Sequence, residues 1–252
     1  MKKLLILRSA ALAASLVTMS FASLATDTTS WNFTTNGTQY GAGNYDGNNL
    51  NFSSADNNLT ITAWADTRDN NNSDTIQTAT AAHNSHGLLN YNRDESNNEH
   101  YVDNYGDETD MLLFTFDDLV SITGINIGYH SVDSDISIAA FDDLPTLQGN
   151  TWDTVASNAD FKTSFSNLSN GWTSLSSASS FESKYWLIGA YNGAFGSPGW
   201  TNNNDQLKIA GLSTVAGSSP DPKPPTDVAE PSSLAVLASF GLFAAWRRRK
   251  SA

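Results

Sequence analysis

Five aspartates are placed where they could hold a hard cation. Asp103, Asp107 and Asp110, with Glu108 among them, gather just ahead of an apolar run, and Asp133 and Asp135 follow some twenty residues later. Residues two apart in an extended segment share a face, so Asp133 and Asp135 present their carboxylates together. Calcium takes six to eight oxygen ligands, and oxygen-rich loops at the rim of a β-sandwich can supply them. Asp103, Asp107, Asp110, Asp133 and Asp135 are therefore the candidate calcium ligands. The chain has no EF-hand loop, so the spacing leaves a second reading open, in which these are solvated loop acids that aid solubility.

Other chemistries have weaker footholds. His83 and His86 lie three apart and His100 and His130 elsewhere, with no HExxH; polar loop histidines account for them more simply than zinc does. There is no GxSxG and no glycine-rich phosphate loop after a strand. With no cysteine there is no thiolate ligand, disulfide framework or cysteine nucleophile. A pair of carboxylates at glycosidase separation could arise by chance among 26 acids. Six tryptophans lie in the body, and packing in the core is the usual fate of an aromatic on a strand. That fate is expected for Trp64 and Trp186. Trp200 sits between Pro198-Gly199 and Asn202-Asn203-Asn204, in a loop, and is the candidate for stacking on a sugar ring.

The elements that must position these residues read as strands. Leu59 to Ala65 begins with alternation, Asp110 to Phe116 is continuously apolar, and Val120 to Ile127 alternates cleanly. Asp117-Asp118 between the last two predicts a turn, making Asp110 to Ile127 a β-hairpin with Phe114 and Ile125 buried. Ile136 to Phe141, Tyr185 to Tyr191 and Gln206 to Leu212 read as further strands. Residues 152–180 are ambiguous and could hold a short helix. Asn-Gly and Asp-Gly pairs at Asn36, Asp46, Asn170 and Asn192 favour tight turns. The prediction is an all-β antiparallel β-sandwich, jelly-roll-like, over residues 26–217.

Charge narrows the partners. Between the leader and the basic tail stand Arg68, Arg93, Lys162, Lys184, Lys208 and Lys223 against 26 acidic residues, a net charge near −20. Such a surface repels nucleic acid and anionic lipid and attracts cations.

Both ends carry processing signals. Residues 1–25 combine Lys2 and Lys3, a mostly apolar Leu4 to Val17, and Ser23-Leu24-Ala25, as in a signal peptide cleaved after Ala25 or after Ala22; a retained anchor is the alternative. A Pro-rich linker spans 218–227. The tail, 228–252, has Glu230-Pro231, an apolar stretch from Leu234 to Trp246, and Arg247-Arg248-Arg249-Lys250. It reads as an apolar, transmembrane helix with its basic end held in the cytoplasm.

This tail resembles the PEP-CTERM sorting signal of Gram-negative bacteria, with Ala229 where the family has its first proline. The resemblance implies that Glu230, Pro231, Arg247, Arg248 and Arg249 form the sorting motif. It also implies an exosortase as processing partner, besides signal peptidase, and an inner-membrane precursor destined for the surface. An ordinary C-terminal membrane anchor is the other reading. Val102 to Gly106, Asp110 to Phe116, Gly128-Tyr129, Asp133 to Ile136 and Ala63 to Thr67 are similar to a family of exosortase-dependent surface proteins. The expected function is that of an exported surface or extracellular-matrix protein, non-catalytic, with a structural or adhesive role. The alternatives are a calcium-assisted carbohydrate-binding module that meets extracellular polysaccharide and, third, a polysaccharide-acting enzyme.

Overall fold

The computed structural model describes residues 27–41, 49–68, 74–93, 100–196, 199–201 and 203–218. The predicted signal peptide, the linker beyond Ser218 and the whole sorting tail lie outside the described residues. Among those described, no helix is long and apolar enough to cross a membrane.

The fold is an antiparallel β-sandwich. Its strands are β1 (Thr28–Asn32), β2 (Gln39–Tyr40), β3 (Leu50–Ser53), β4 (Asn58–Arg68), β5 (Asp74–Thr78), β6 (Thr80–Asn84) and β7 (Gly87–Tyr91). The second half contributes β8 (Val102–Asp103), β9 (Asp110–His130), β10 (Ile136–Phe141), β11 (Phe161–Phe165), β12 (Gly171–Ser174), β13 (Ser183–Ala190) and β14 (Gln206–Ala216). The larger sheet runs β1-β14-β9-β13-β10-β11, with β3, β4, β5, β8 and β12 attached alongside, and β2-β6-β7 form a second, smaller sheet.

The predicted hairpin is corrected by β9, which continues unbroken through Asp117 and Asp118. Its first half pairs with β4 and β13, and its second half with β14 and β12. A single strand thus links regions that the hairpin reading would have made neighbours. Turn chemistry is overruled by satisfied backbone: the Asn57 Oδ1 accepts the N–H of both Asp117 and Asp118, at 3.1 and 3.2 Å. The two aspartates stay exposed where the strand passes between partners. Phe114 and Ile125 are buried, as predicted.

The ambiguous stretch holds α1 (Trp152–Ser157), capped by Thr151 Oγ1, which accepts the N–H of Thr154. Trp186 is fully buried in the main core, whereas Trp64 is half-buried and packs on a second cluster around Met111, Trp152 and Phe195.

The small sheet closes over the main core by backbone approach. A Cβ at Gly128 on β9 would stand 2.0 Å from the carbonyl oxygen of His86, in the β6–β7 turn. Gly87, the first residue of β7, has φ +124°, and a Cβ there would stand 2.3 Å from the Ile209 carbonyl oxygen on β14. Only glycine fits such contacts, so these two residues set how close the layers come. Behind them Leu88, Ile127, Leu207 and Ile209 are buried together.

Candidate metal centre

The site lies where four strands begin or end. Past the end of β9 the chain runs on to Asp133, and β10 begins just after Asp135. Strand β14 begins just after Asp205, and β8 ends just before Asn104. Leu207 pairs with His130, and beyond that pair Ser131 N–H donates to the Gln206 carbonyl and Gln206 N–H to the Asp133 carbonyl. Asp133 and Asp205 form an isolated parallel bridge. The β9–β14 ladder therefore delivers Asp205 to the Asp133–Asp135 segment, seventy residues away in the chain.

One carboxylate oxygen from each of Asp133, Asp135 and Asp205 lies within 4.8 Å of the other two. Calcium–oxygen distances of about 2.4 Å would place such oxygens around one shared ion. Asp205 is fully buried and Asp135 nearly so, while Asp133 is half-buried. Their hydrogen-bond partners are backbone N–H groups and amides. Asp205 Oδ1 accepts the Asp135 N–H at 2.8 Å and Oδ2 accepts Asn104 Nδ2 at 2.7 Å. Asp135 Oδ1 accepts the Asn167 N–H at 2.6 Å. Asp133 accepts the Ser134 N–H at Oδ1 and Asn204 Nδ2 at Oδ2. Asn104 is itself fixed, its Oδ1 accepting the Asp205 N–H at 2.9 Å.

Three carboxylates share this space with no basic side chain among those hydrogen-bond partners. Burial pushes the Asp205 carboxyl up to about 7. The hydrogen bonds from Asp135 and Asn104 pull the other way, and the charges of Asp135 and Asp133 add to the rise. Burial also raises Asp135, opposed by the Asn167 N–H and reinforced by Asp133. A divalent cation would reverse both effects by favouring the ionised forms. An all-carboxylate set suits a hard ion such as calcium better than zinc.

The structure brings together two of the five predicted ligands, Asp133 and Asp135. Asp103 lies on β8 opposite Gln206, buried, with its Oδ1 accepting the N–H of Tyr105 in a tight local turn. Asp110 starts β9 opposite Ala65, buried, with Asn92 Nδ2 at 3.3 Å. Neither joins the three-carboxylate group. Asp107 belongs to the 3-10 turn Tyr105–Asp107, and its side chain lies outside what is described. Asp205 was missed by the sequence reading. Trp200 is half-buried and packs on Tyr191, with ring centroids 5.2 Å apart. Comparison of the chain with protein-family models, curated proteins and solved structures finds no match.

Proposed function

We propose that this chain is an exported surface or extracellular-matrix protein, structural or adhesive in role, whose β-sandwich is locked by calcium bound at Asp133, Asp135 and Asp205. The observation that carries the metal reading is the convergence of two buried carboxylates and a third within 4.8 Å, held by N–H donors and, among the described residues, by no hydrogen bond from a cationic side chain. Export is supported by the leader, and surface sorting by the PEP-CTERM-like order of Glu230-Pro231, apolar stretch and arginines. An acidic, cation-dependent sandwich suits the extracellular space, where calcium is plentiful enough for sites of modest affinity.

The metal reading is tested by melting the purified full-length protein in calcium and in chelator at constant ionic strength. The melting temperature rises in calcium, because an ion bound only by the folded state stabilises it by about 2.7 kcal/mol at a hundred times its Kd. Equal melting in both solutions refutes it. Sorting is tested separately, by replacing Glu230-Pro231 with Ala-Ala and fractionating the host envelope. The precursor then accumulates in the inner membrane; arrival at the surface with unchanged mass and yield would favour a plain membrane anchor.

A further inference from the structure

Beside the metal centre, and sharing Asn104 with it, is a pocket of about 190 Å³ bordered by Asp66, Asn104, Glu108, Tyr191, Asn192 and Asn203. We propose that this pocket binds one neutral sugar residue of an extracellular polysaccharide, and that Asn104 couples its occupancy to the cation. The coupling rests on the calcium reading above; the sugar pocket stands without it.

The lining selects the ligand. A sugar ring offers hydroxyls that both donate and accept, and this wall presents carboxylates that accept beside amides that do both. Among the described residues no lysine or arginine lines the pocket, and Asp66 and Glu108 disfavour an anion such as a uronate. The volume is below the 300 Å³ or so at which pockets hold drug-sized ligands, so it admits one small ring and not a peptide.

The polar groups are held before any ligand arrives. Asn192 Oδ1 accepts the Ala194 N–H at 3.0 Å while its Nδ2 donates to Thr109 Oγ1 at 2.9 Å. Asn203 Oδ1 accepts the Gly106 N–H at 2.6 Å. Asp66 Oδ1 accepts the Thr109 N–H, and Glu108 Oε2 accepts Asn92 Nδ2 at 3.0 Å. Side chains fixed this way lose little freedom on binding, which favours affinity. Tyr191 gives the wall an aromatic member, and Trp200 packs on it.

Asn104 is the link to the cation. Its Nδ2 donates both to the Tyr191 carbonyl, at 2.8 Å, and to Asp205 Oδ2, at 2.7 Å. A cation held by Asp205 acts on the carboxylate that orients Asn104, a residue of the pocket wall. Linkage then requires each ligand to raise the affinity for the other by the same factor.

The test is retention of the purified full-length protein on an array of neutral and uronic oligosaccharides, in calcium and in chelator. Neutral glycans retain it in calcium and uronic ones do not. Asn203→Gly, which tolerates the φ of +74° there, and Glu108→Gln each weaken retention at least tenfold with the calcium-dependent rise in melting temperature intact, and chelator weakens it at least threefold. The pocket is overturned if no neutral glycan retains the protein in calcium, if uronic glycans are preferred, or if both variants bind like the unaltered protein. Retention indifferent to chelator, in a protein whose melting responds to calcium, overturns the coupling alone. Retention of neutral glycans with no calcium effect on melting overturns the cation reading and the coupling, and leaves the pocket standing.

Discussion

Two acidic regions of the sandwich are different chemical objects because of their surroundings. Asp133, Asp135 and Asp205 lie at strand ends, with Asp205 wholly removed from water. Asp142, Asp143 and Asp160 line an open cavity of about 490 Å³ between the end of β10 and α1, and all three are exposed. Both regions hold three aspartates. In the first, burial and shared charge drive Asp205 up to about 7, and a cation would relieve the conflict. In the second, water screens the charges and one hydrogen bond, from the Asp142 N–H to Asp160 Oδ2 at 2.8 Å, ties two of them together. The number of acids is the same, so burial and backbone donors are what distinguish a candidate site from a solvated rim.

The sharpest way to break this contrast is Asp205→Ala. That change strips the acceptor from the buried Asp135 N–H and removes one of the two acceptors of Asn104 Nδ2. Leaving a buried donor unsatisfied costs about 1–3 kcal/mol, so the variant loses roughly 2–4 kcal/mol and all response to calcium. Denaturant melts in calcium and in chelator measure both. A loss below about 1 kcal/mol, or an intact calcium response, would place Asp205 in the same class as the exposed acids.

An effect of the same order comes from pH. Asp205 has a raised carboxyl pKa in the folded chain, near 7 against an ordinary value of 3.8. Between those values the folded state holds a proton that the unfolded state has lost, so the contribution to stability falls as pH rises from about 4 to 7. One group contributes a slope of at most about 1.4 kcal/mol per pH unit. Asp135, also raised, has the same sign. In chelator, melting temperatures therefore decline across this window. In calcium the decline flattens, and the gap between the two solutions is wider at pH 8 than at pH 5. A constant gap from pH 5 to 8 would mean that the cation does not sit on the buried carboxylates.

How far the sequence reveals this site depends on the range of the interactions. Asp133 and Asp135 were legible because their relation is local: two residues apart in an extended segment, they must share a side. The longer strands β4, β10, β13 and β14 were legible for a similar reason, and Ile136 to Phe141 matches β10 residue for residue, whereas short strands such as β2, β8 and β12 carry too few residues to show a pattern. Asp205 was hidden because its relation to them is made by β9 pairing with β14, and nothing in Asn202-Asn203-Asn204-Asp205 distinguishes it from a polar loop. The one available signal was its place at the start of the predicted strand from Gln206. The Asp117-Asp118 turn failed for the complementary reason, since a local turn preference was outweighed by a distant acceptor, Asn57. Local pattern thus identified the pieces, while long-range ladders decided which acids meet.

The smallest expected effect sharpens the contrast from its other side. Asp143→Asn removes a charge from the open cavity beside α1 while keeping the side chain's size. Asp143 is exposed, so its charge is screened and no desolvation energy is recovered by neutralising it. Surface changes of this kind stay within about 0.5 kcal/mol. The cavity wall around it, including exposed Leu144 and the end of α1, is held by Thr151 capping and by the burial of Val155 and Trp152, none of which needs the carboxylate. The variant should therefore melt like the unaltered protein in chelator and show the same rise in calcium. Calcium titration followed by melting is the measurement. A calcium response cut by half or more would mean that the cation also binds at the open cavity, and that exposure had been the wrong criterion for separating the two acidic regions.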